Sequence, residues 1–462
     1  MYQWVLKHSS GKVRTMAIQK NDELIIEIQD IGSDGEGIGK QDGYTLFVKN
    51  TVVGDKAKVK VMKAKKSYGY ARLVDLITAS PYRVEPKCPL AEKCGGCSLQ
   101  HLDYAKQLDY KQNKVKNCLE RIGGFKGIEM EAIIGMKEPY YYRNKAQFPV
   151  GKDKEGKVII GFYAGGTHSI IDTSHCYIQA EVNEQIMIKI RAFLEDYNIS
   201  IYDEAENKGL VRHVITRVGF TTGEVMVCIV VNGKDLPHKE ELIQSLCEIP
   251  HMTSISINVN KEKTNVILGQ KVITLWGQPY ITDFIGDIRY QISPLSFYQV
   301  NPIQTKVLYE TALDFADLHG EEIVWDLYCG IGTISLFLAQ KAKQVYGVEI
   351  VAQAIEDARK NADMNHITNA EFFVGAAEEI LPQKYKEDAI RADVIVVDPP
   401  RKGCEESLLD TIIQMSPDRV VYVSCDPATL ARDLRYLCDR GYEISKVQAV
   451  DQFAHTTHVE CV

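Results

Sequence analysis

The sequence predicts a multidomain α/β protein: a small N-terminal OB-like β-barrel, a mixed central region, and a C-terminal doubly wound, Rossmann-like parallel sheet. Three observations predict it. From Asp22 to Leu76, short alternating apolar runs are separated by turn residues, the signature of a small antiparallel barrel. From Glu322 onward, apolar strand segments alternate with helical patterns, as successive βαβ units require. Between them, from about residue 139 to 290, strand patterns dominate with room for one or two helices. The expected boundaries are 15–78 for the barrel, 79–290 for the central region and 291–462 for the parallel-sheet domain.

The chain has 462 residues, of which 45% are apolar and 25% charged, ample for two or three domains with a buried core. No run of about 18 apolar residues occurs, and Met1 to Lys20 is polar without a signal-peptide apolar region, so a cytoplasmic protein without membrane contact is expected. Twelve cysteines in such a compartment favour metal or catalytic use over disulfides. Cys88, Cys94 and Cys97 cluster, whereas most of the scattered cysteines read as small buried hydrophobes. The net charge of −8 argues against indiscriminate binding to nucleic acid but averages over unequal segments.

In the barrel, Leu24 to Ile28, Thr45 to Val48 and Lys58 to Val61 are strand segments, and Gly32 to Gly43 carries five glycines as a turn region. Lys56, Lys58, Lys60, Lys63, Lys65, Lys66 and Arg72 stand against the single acid Asp55, interleaved with Tyr68 and Tyr70. That stripe suits phosphate contacts with base stacking, and equally a solvated edge protected by lysines. After Pro81 and Pro86, a helix is predicted over Tyr104 to Ile122, carrying Lys106, Lys111, Lys114, Lys116 and Arg121 and stopped by Gly123-Gly124. The central region opens with Tyr140-Tyr141-Tyr142-Arg143-Asn144-Lys145, a second aromatic and basic run. In the C-terminal domain the strands are Ile323 to Cys329, Val345 to Ile350, Glu371 to Val374, Val394 to Asp398 and Val420 to Ser424.

Chemistry gathers at the ends of those strands, where an open α/β sheet meets its ligands. Asp326-Leu327-Tyr328-Cys329-Gly330-Ile331-Gly332-Thr333 is a glycine turn after an apolar strand; Gly330 and Gly332 permit a tight turn and a close backbone approach. Glu349 ends the next strand, 16 residues after Thr333, where an acid commonly accepts from ribose hydroxyls. The third glycine of the dinucleotide fingerprint is replaced by Leu336, which suits S-adenosylmethionine, lacking a pyrophosphate, better than NAD. A structural turn in another α/β protein would look the same. Asp398-Pro399-Pro400-Arg401 ends the fourth strand; amino-group methylases would place an aromatic residue where Arg401 stands, and cytosine-C5 methylases of RNA a cysteine beside the proline, from which Cys404 is too far. Cys425 follows the fifth strand in Val420-Val421-Tyr422-Val423-Ser424-Cys425-Asp426-Pro427, and His458-Val459-Glu460 offers a carboxylate. Methylating uracil at C5 requires such a pair: a thiolate that adds to C6 to make C5 nucleophilic, and a base that afterwards removes the C5 proton. Taken singly, a strand-end cysteine or a terminal glutamate is more often structural; the case rests on their co-occurrence.

The Asp326–Gly332 motif, Asp398-Pro399-Pro400-Arg401-Lys402-Gly403, Ser424-Cys425-Asp426-Pro427 and His458-Val459-Glu460 together resemble the S-adenosylmethionine-dependent RNA uracil-5-methyltransferases, over nearly the whole chain. The resemblance implies a class I methyltransferase domain at the C-terminus and a TRAM domain, an RNA-binding module, for the barrel. It places Gln299, in Phe297-Tyr298-Gln299-Val300-Asn301-Pro302, with Tyr328, Glu349 and Asp398 on cofactor and substrate positions beside Gly330 and Gly332, Cys425 on the nucleophile and Glu460 on the base.

Cys88, Cys94 and Cys97, with Cys176 in Ser174-His175-Cys176-Tyr177 as a distant fourth, resemble the [4Fe-4S] site of the ribosomal-RNA members. Spacing alone would equally suit zinc. By the same resemblance the transfer-RNA members lack both cluster and TRAM domain, which implies 23S rRNA, free or partly assembled, as the partner of a monomer that makes 5-methyluridine without an obligate protein partner. The alternatives are the same reaction on tRNA, or a non-catalytic RNA-binding or ribosome assembly factor; a binder would need none of Cys425, Glu460, Gly330 and Gly332. The family's last strand normally runs on past the position of Val462, so weak anchoring of Glu460 is expected.

Overall fold

A computed structural model describes residues 18–387 and 390–462. They fall into two units: residues up to Pro86 together with Ser98–Asp103, and Lys87–Cys97 together with Tyr104–Val462. Residues 15–17 of the expected barrel lie outside the described residues.

The first unit is a closed five-stranded barrel of β1 (Glu23–Ile31), β2 (Gly37–Gln41), β3 (Tyr44–Lys49), β4 (Lys56–Ala64) and β5 (Tyr68–Thr78), ordered β1-β2-β3-β5-β4. Alternation sends Ile26, Ile28, Leu46, Val48, Val59 and Val61 inward. Three expectations need correcting. The barrel is not wholly antiparallel, since β3 and β5 pair in parallel. The glycine-rich segment is not only a turn but contains β2: a Cβ at Gly37 would lie 2.1 Å from Thr51 Oγ1 and one at Gly39 2.8 Å from Ile26 Cδ1, so only glycine lets this strand approach its neighbours. Asp55 does not balance the lysine stripe either. It is buried, accepts from the Val52 and Ser80 amides at 2.8 and 2.9 Å, and pairs with Arg83 at 2.5 Å. Lys63, Lys65, Lys66, Tyr68, Tyr70 and Arg72 remain exposed around the β4–β5 hairpin, and Phe47, Tyr68 and Tyr70 form a ring cluster with centroids 5.6 to 5.9 Å apart.

The second unit begins with helix α1 (Tyr104–Arg121), as the sequence predicts. A seven-stranded sheet follows, built from β6 (Lys145–Lys152), β7 (Val158–Tyr163), β8 (Ile170–Asp172), β9 (Val211–Val218), β10 (Val225–Val231), β11 (Met252–Val259) and β12 (Lys271–Gly277), with α2 (Val182–Asp196) and α3 (Lys239–Leu246) packed on one face through Ile186, Ile190, Leu242 and Leu246. The hairpin β13 (Ile281–Ile285) and β14 (Ile288–Ile292) leads to α4 (Pro302–Ala316).

Then β15 (Ile323–Leu327), α5 (Thr333–Ala339), β16 (Gln344–Glu349), α6 (Ala352–Met364), β17 (Ala370–Val374), α7 (Ala377–Glu387), β18 (Val394–Val397), α8 (Glu406–Met415), β19 (Arg419–Tyr422) and α9 (Pro427–Cys438) alternate. Their strands form one parallel sheet in the order β17-β16-β15-β18-β19, with apolar layers on both faces. The strand order reverses between β15 and β18, and at such a switch point the loops part to leave a crevice. A last pair, β20 (Ala449–Val450) and β21 (Glu460–Cys461), closes the chain. Among the described residues, no helix is long and apolar enough to cross a membrane.

Candidate active site

On one side of the switch point the backbone itself is shaped. After β15, Tyr328, Gly330 and Gly332 have φ of 67°, 56° and 80°, left-handed conformations that only glycine adopts without strain. At Gly332 space matters too: a Cβ would lie 3.1 Å from Phe372 and 3.2 Å from Ala358. At Gly330 a Cβ would meet nothing within 4 Å, so its turn borders open space. Glu349, ending β16, accepts from the amides of Gly330 at 3.3 Å and Val351 at 2.9 Å, tying the acid to the glycine turn. Below it Asp326 is fully buried and accepts from the Ser335 hydroxyl. The cradle of glycines and acid fits the nucleoside part of S-adenosylmethionine. The Tyr328 ring is half-buried, and burial, then the charges of Cys404, Glu378 and Glu405, raise its hydroxyl above the ordinary tyrosine range. Gln299 is half-buried before α4; its carbonyl accepts from Asn144 Nδ2 at 3.0 Å, and Asn301 caps the helix by accepting from Gln304 N at 3.2 Å.

On the other side, side chains dominate. Asp398, half-buried just beyond β18, is pushed up to about 7 by burial. The chain past β19 continues by Val423 N donating to Val397 O at 2.8 Å, and then pairs with the C-terminal strand: Ser424 N to Cys461 O at 2.8 Å and Cys461 N to Ser424 O at 2.9 Å. In this antiparallel bridge the next residues, Cys425 and Glu460, stand opposite one another. Ser424 Oγ donates to the Asp426 carbonyl at 3.0 Å, and Asp426 caps α9 by accepting from Ala428 N and Thr429 N at 2.9 and 3.3 Å, so the thiol is held between a strand end and a capped helix. The expected weak anchoring of Glu460 is not found. It is 4% exposed, its strand pairs with β20, and Gln448 and Val462 exchange hydrogen bonds of 2.9 and 2.8 Å just beyond it.

Electrostatics bind this side together. Burial, then the Asp398 charge, push Glu460 up to about 8, against the pull of Arg401. Burial, then the charges of Glu460 and Asp398, push the Cys425 thiol up to about 11, again opposed by Arg401. A carboxyl titrating near neutrality can exchange protons in either direction, as a general base must.

The aromatic-basic run leading into β6 alternates between more and less buried residues. Tyr142 and Asn144 turn inward, Tyr142 donating to the Ala454 carbonyl at 3.0 Å, so they are not the free RNA-facing groups their composition suggests. Lys145 stands opposite Arg217 in the register, and burial with Arg217 and Arg143 nearby pulls its ammonium down to about 7. Sequence reasoning missed the partners of Lys111, which lies on the buried stripe Gln107, Lys111, Val115 and Leu119 of α1. A lysine in phase with an apolar stripe was the available signal.

Cys88, Cys94, Cys97 and Cys176 share a neighbourhood. Burial raises the Cys94 and Cys176 thiols, Cys88 raises both further, and Cys97 and Cys176 pack around Met136, Tyr142, Ile178 and Ala454. Among the described residues, however, no three His, Cys, Asp or Glu side chains are arranged to hold a metal ion. Of the scattered cysteines, Cys228, Cys329, Cys404 and Cys461 are buried as expected, whereas Cys247 is exposed.

Comparison with known proteins supplies the context. Residues 103–462 match the tRNA (uracil-5-)-methyltransferase family, and residues 19–74 match the TRAM domain. The chain is 54% identical over 446 residues to an uncharacterized RNA methyltransferase of Halalkalibacterium halodurans, covering 96% of this chain and 97% of that protein. It is 51% identical over 450 residues to one of Clostridium tetani, covering 97% of each. The crystal structure of the Pyrococcus abyssi tRNA (uracil-54, C5)-methyltransferase in complex with S-adenosyl-L-homocysteine is similar with a TM-score of 0.76 and 30% identity, covering 95% of this chain and 99% of that one. That coverage takes in most of the barrel, so a barrel of this kind does not by itself separate rRNA from tRNA enzymes.

Proposed function

Since the chain belongs to the tRNA (uracil-5-)-methyltransferase family and carries a TRAM domain, we propose that it methylates C5 of uridine in 23S rRNA through a covalent Cys425 adduct, with Glu460 as base. The observation that carries this reading is the antiparallel bridge that sets Cys425 opposite buried Glu460 at the rim of the parallel sheet. The Cys425 sulfur forms a bond to C6 of the uracil, and the C5–C6 π electrons move into an enolate whose C5 is nucleophilic. Gln299, Tyr328, Gly330, Gly332, Glu349 and Asp398 would hold S-adenosylmethionine, whose sulfonium would supply the electrophilic methyl group: the C5 electron pair would form the C5–CH3 bond as the methyl–sulfur bond breaks, with S-adenosylhomocysteine as the leaving group. Glu460 then takes the C5 proton, the C5–C6 double bond re-forms, and the thiolate leaves. Arg401 lowers the thiol against the two carboxylates, and a substrate that covers the site strengthens that attraction by excluding water. With 5-fluorouridine at the target, the C5 proton is absent and a covalent RNA adduct should accumulate on Cys425; its absence under single-turnover conditions would remove the mechanism.

The rRNA target rests on the resemblance of the cysteine set to that of ribosomal-RNA members. The likeness to the Pyrococcus abyssi enzyme favours a second reading, in which tRNA is the substrate. Mass spectrometry of 5-methyluridine in 23S rRNA and in tRNA from cells lacking the protein separates the two: the RNA that loses the nucleoside is the substrate.

We further propose that Cys88, Cys94, Cys97 and Cys176 hold a [4Fe-4S] cluster. Their chemistry as four thiols and the mutual influence of Cys88, Cys94 and Cys176 fit a soft metal, although ligation requires the side chains to draw closer than they stand. Bound there, the cluster would cross-link the 88–97 segment to the loop around Cys176. Anaerobic protein should carry about four irons per chain; stoichiometric zinc without iron would overturn the assignment.

A further inference from the structure

The nine residues before Glu460 form no regular structure, yet Asp451, Gln452, Ala454 and His455 are at most 3% exposed. A buried irregular segment needs partners for its backbone polar groups. Helix α1 supplies them from one stripe. Lys111 Nζ donates to Asp451 Oδ1 at 2.5 Å and to the Phe453 carbonyl at 2.9 Å, with both charged side chains fully buried. Tyr104 donates to Asp451 Oδ2 at 2.7 Å; Gln107 accepts from His455 N at 2.9 Å; Lys114 donates to the Thr457 carbonyl at 2.9 Å. Spacings of three and four residues put these four side chains on one helix face. Helix α4 and its N-cap hold the same segment: Gln304 donates to the Asp451 carbonyl at 3.0 Å and Asn301 to the Gln452 carbonyl at 3.2 Å.

We propose that the buried Lys111–Asp451 ion pair is a positioning device for the reaction: it fixes the 451–459 segment from α1, and thereby the place of Glu460 opposite Cys425. Lys111 touches neither RNA nor cofactor and acts through the segment. A purely stabilising ion pair would be an uneconomical choice, because a well-packed apolar pair of similar volume is often as stable. What the ion pair adds is direction, since Asp451 receives Lys111 and Tyr104 on different oxygens.

This inference rests on the assignment of Glu460 as base, and one experiment separates their failures. In single-turnover reactions on target RNA, methyl transfer and release of the covalent adduct are timed separately. Lys111→Met should slow release by about ten- to a hundredfold, as misplacement of a reacting group does, while methyl transfer changes far less. Because Lys111→Met leaves a lone buried carboxylate, Lys111→Met/Asp451→Asn serves as the folding control: it should recover thermal stability without recovering the release rate. Gln107→Met, which leaves no charge behind, should slow the same step more mildly. Equal slowing of both steps, or recovery of release in the double variant, would reduce the pair to a structural role. If Glu460→Gln itself releases product at the wild-type rate, the base assignment fails instead.

Discussion

The two sides of the switch point are built by different means. The side we assign to the cofactor is made of backbone: three left-handed residues between β15 and α5, a glycine pressed against Phe372 and Ala358, and an acid that accepts from the amides of Gly330 and Val351. The turn and the acid lie within Asp326 to Val351 on adjacent strands, and Ala358 and Phe372 follow in the next helix and strand. The side we assign to the reaction is made of side chains from distant parts of the chain: Asp398 and Arg401 push the charge states of Cys425 and Glu460 in opposite directions, and the segment before Glu460 is held by a helix more than 300 residues earlier, through pairs such as Lys111 and Asp451. A backbone-built site tolerates changes of side chain and fails on changes of conformation. A site built from coupled charges fails when one charge is changed.

Cys425→Ala gives the largest expected separation. Methylation should be lost while S-adenosylmethionine affinity, measured by calorimetry, stays near wild type; a variant with a tenth of wild-type turnover would exclude Cys425 as nucleophile.

Glu460→Gln should instead trap methylated RNA on Cys425, visible as a slow-migrating band on a denaturing gel. The wild-type pH profile sharpens this. Glu460 is raised above its ordinary value of 4.5 to about 8, so it is protonated at neutral pH and gains its basic form as pH rises. Adduct release should therefore climb about tenfold per pH unit below 8 and level off above it. The glutamine variant also removes the charge that, after burial, holds the thiol up, so its Cys425 should titrate lower than in wild type, as alkylation rates against pH would report.

Gly332→Ala tests the backbone side. It places a Cβ against Phe372 and Ala358 at a φ of 80° and should cost about 1–3 kcal/mol in chemical denaturation, together with weaker cofactor binding. An unchanged cofactor affinity would mean that the glycine turn is only structural.

The smallest effect belongs to the barrel. Reversing the charges of Lys63, Lys65 and Lys66 should lower the log-log salt slope of RNA binding by roughly 0.7 to 0.9 for each phosphate no longer neutralised, with no change in S-adenosylmethionine affinity. Survival of both RNA affinity and slope would leave the hairpin as a solvated face, whatever its Phe47, Tyr68 and Tyr70 ring cluster suggests.

By itself, the sequence determined what depends on local patterning. The five parallel strands stand within a residue or two of their predicted limits because buried parallel strands are continuous apolar runs closed by turn residues, and α1 ends beside Gly123 because the glycines stop it. The glycine turn at Gly330 and Gly332 and the strand end at Glu349 were legible for the same reason, since a strand–turn–helix unit has fixed spacing. The tertiary structure decided what depends on partners far away in the chain. Composition cannot say which residues of an aromatic and basic run meet a neighbour, so Tyr142 and Asn144 read as surface groups, whereas the segments around Ala454 and Gln299 pack against them. Composition counted Asp55 with the lysines around it, but Arg83 claims it. Lys111 read as one more surface charge on α1, yet only a folded chain brings Asp451 to a helix 340 residues away and makes a buried ammonium tolerable.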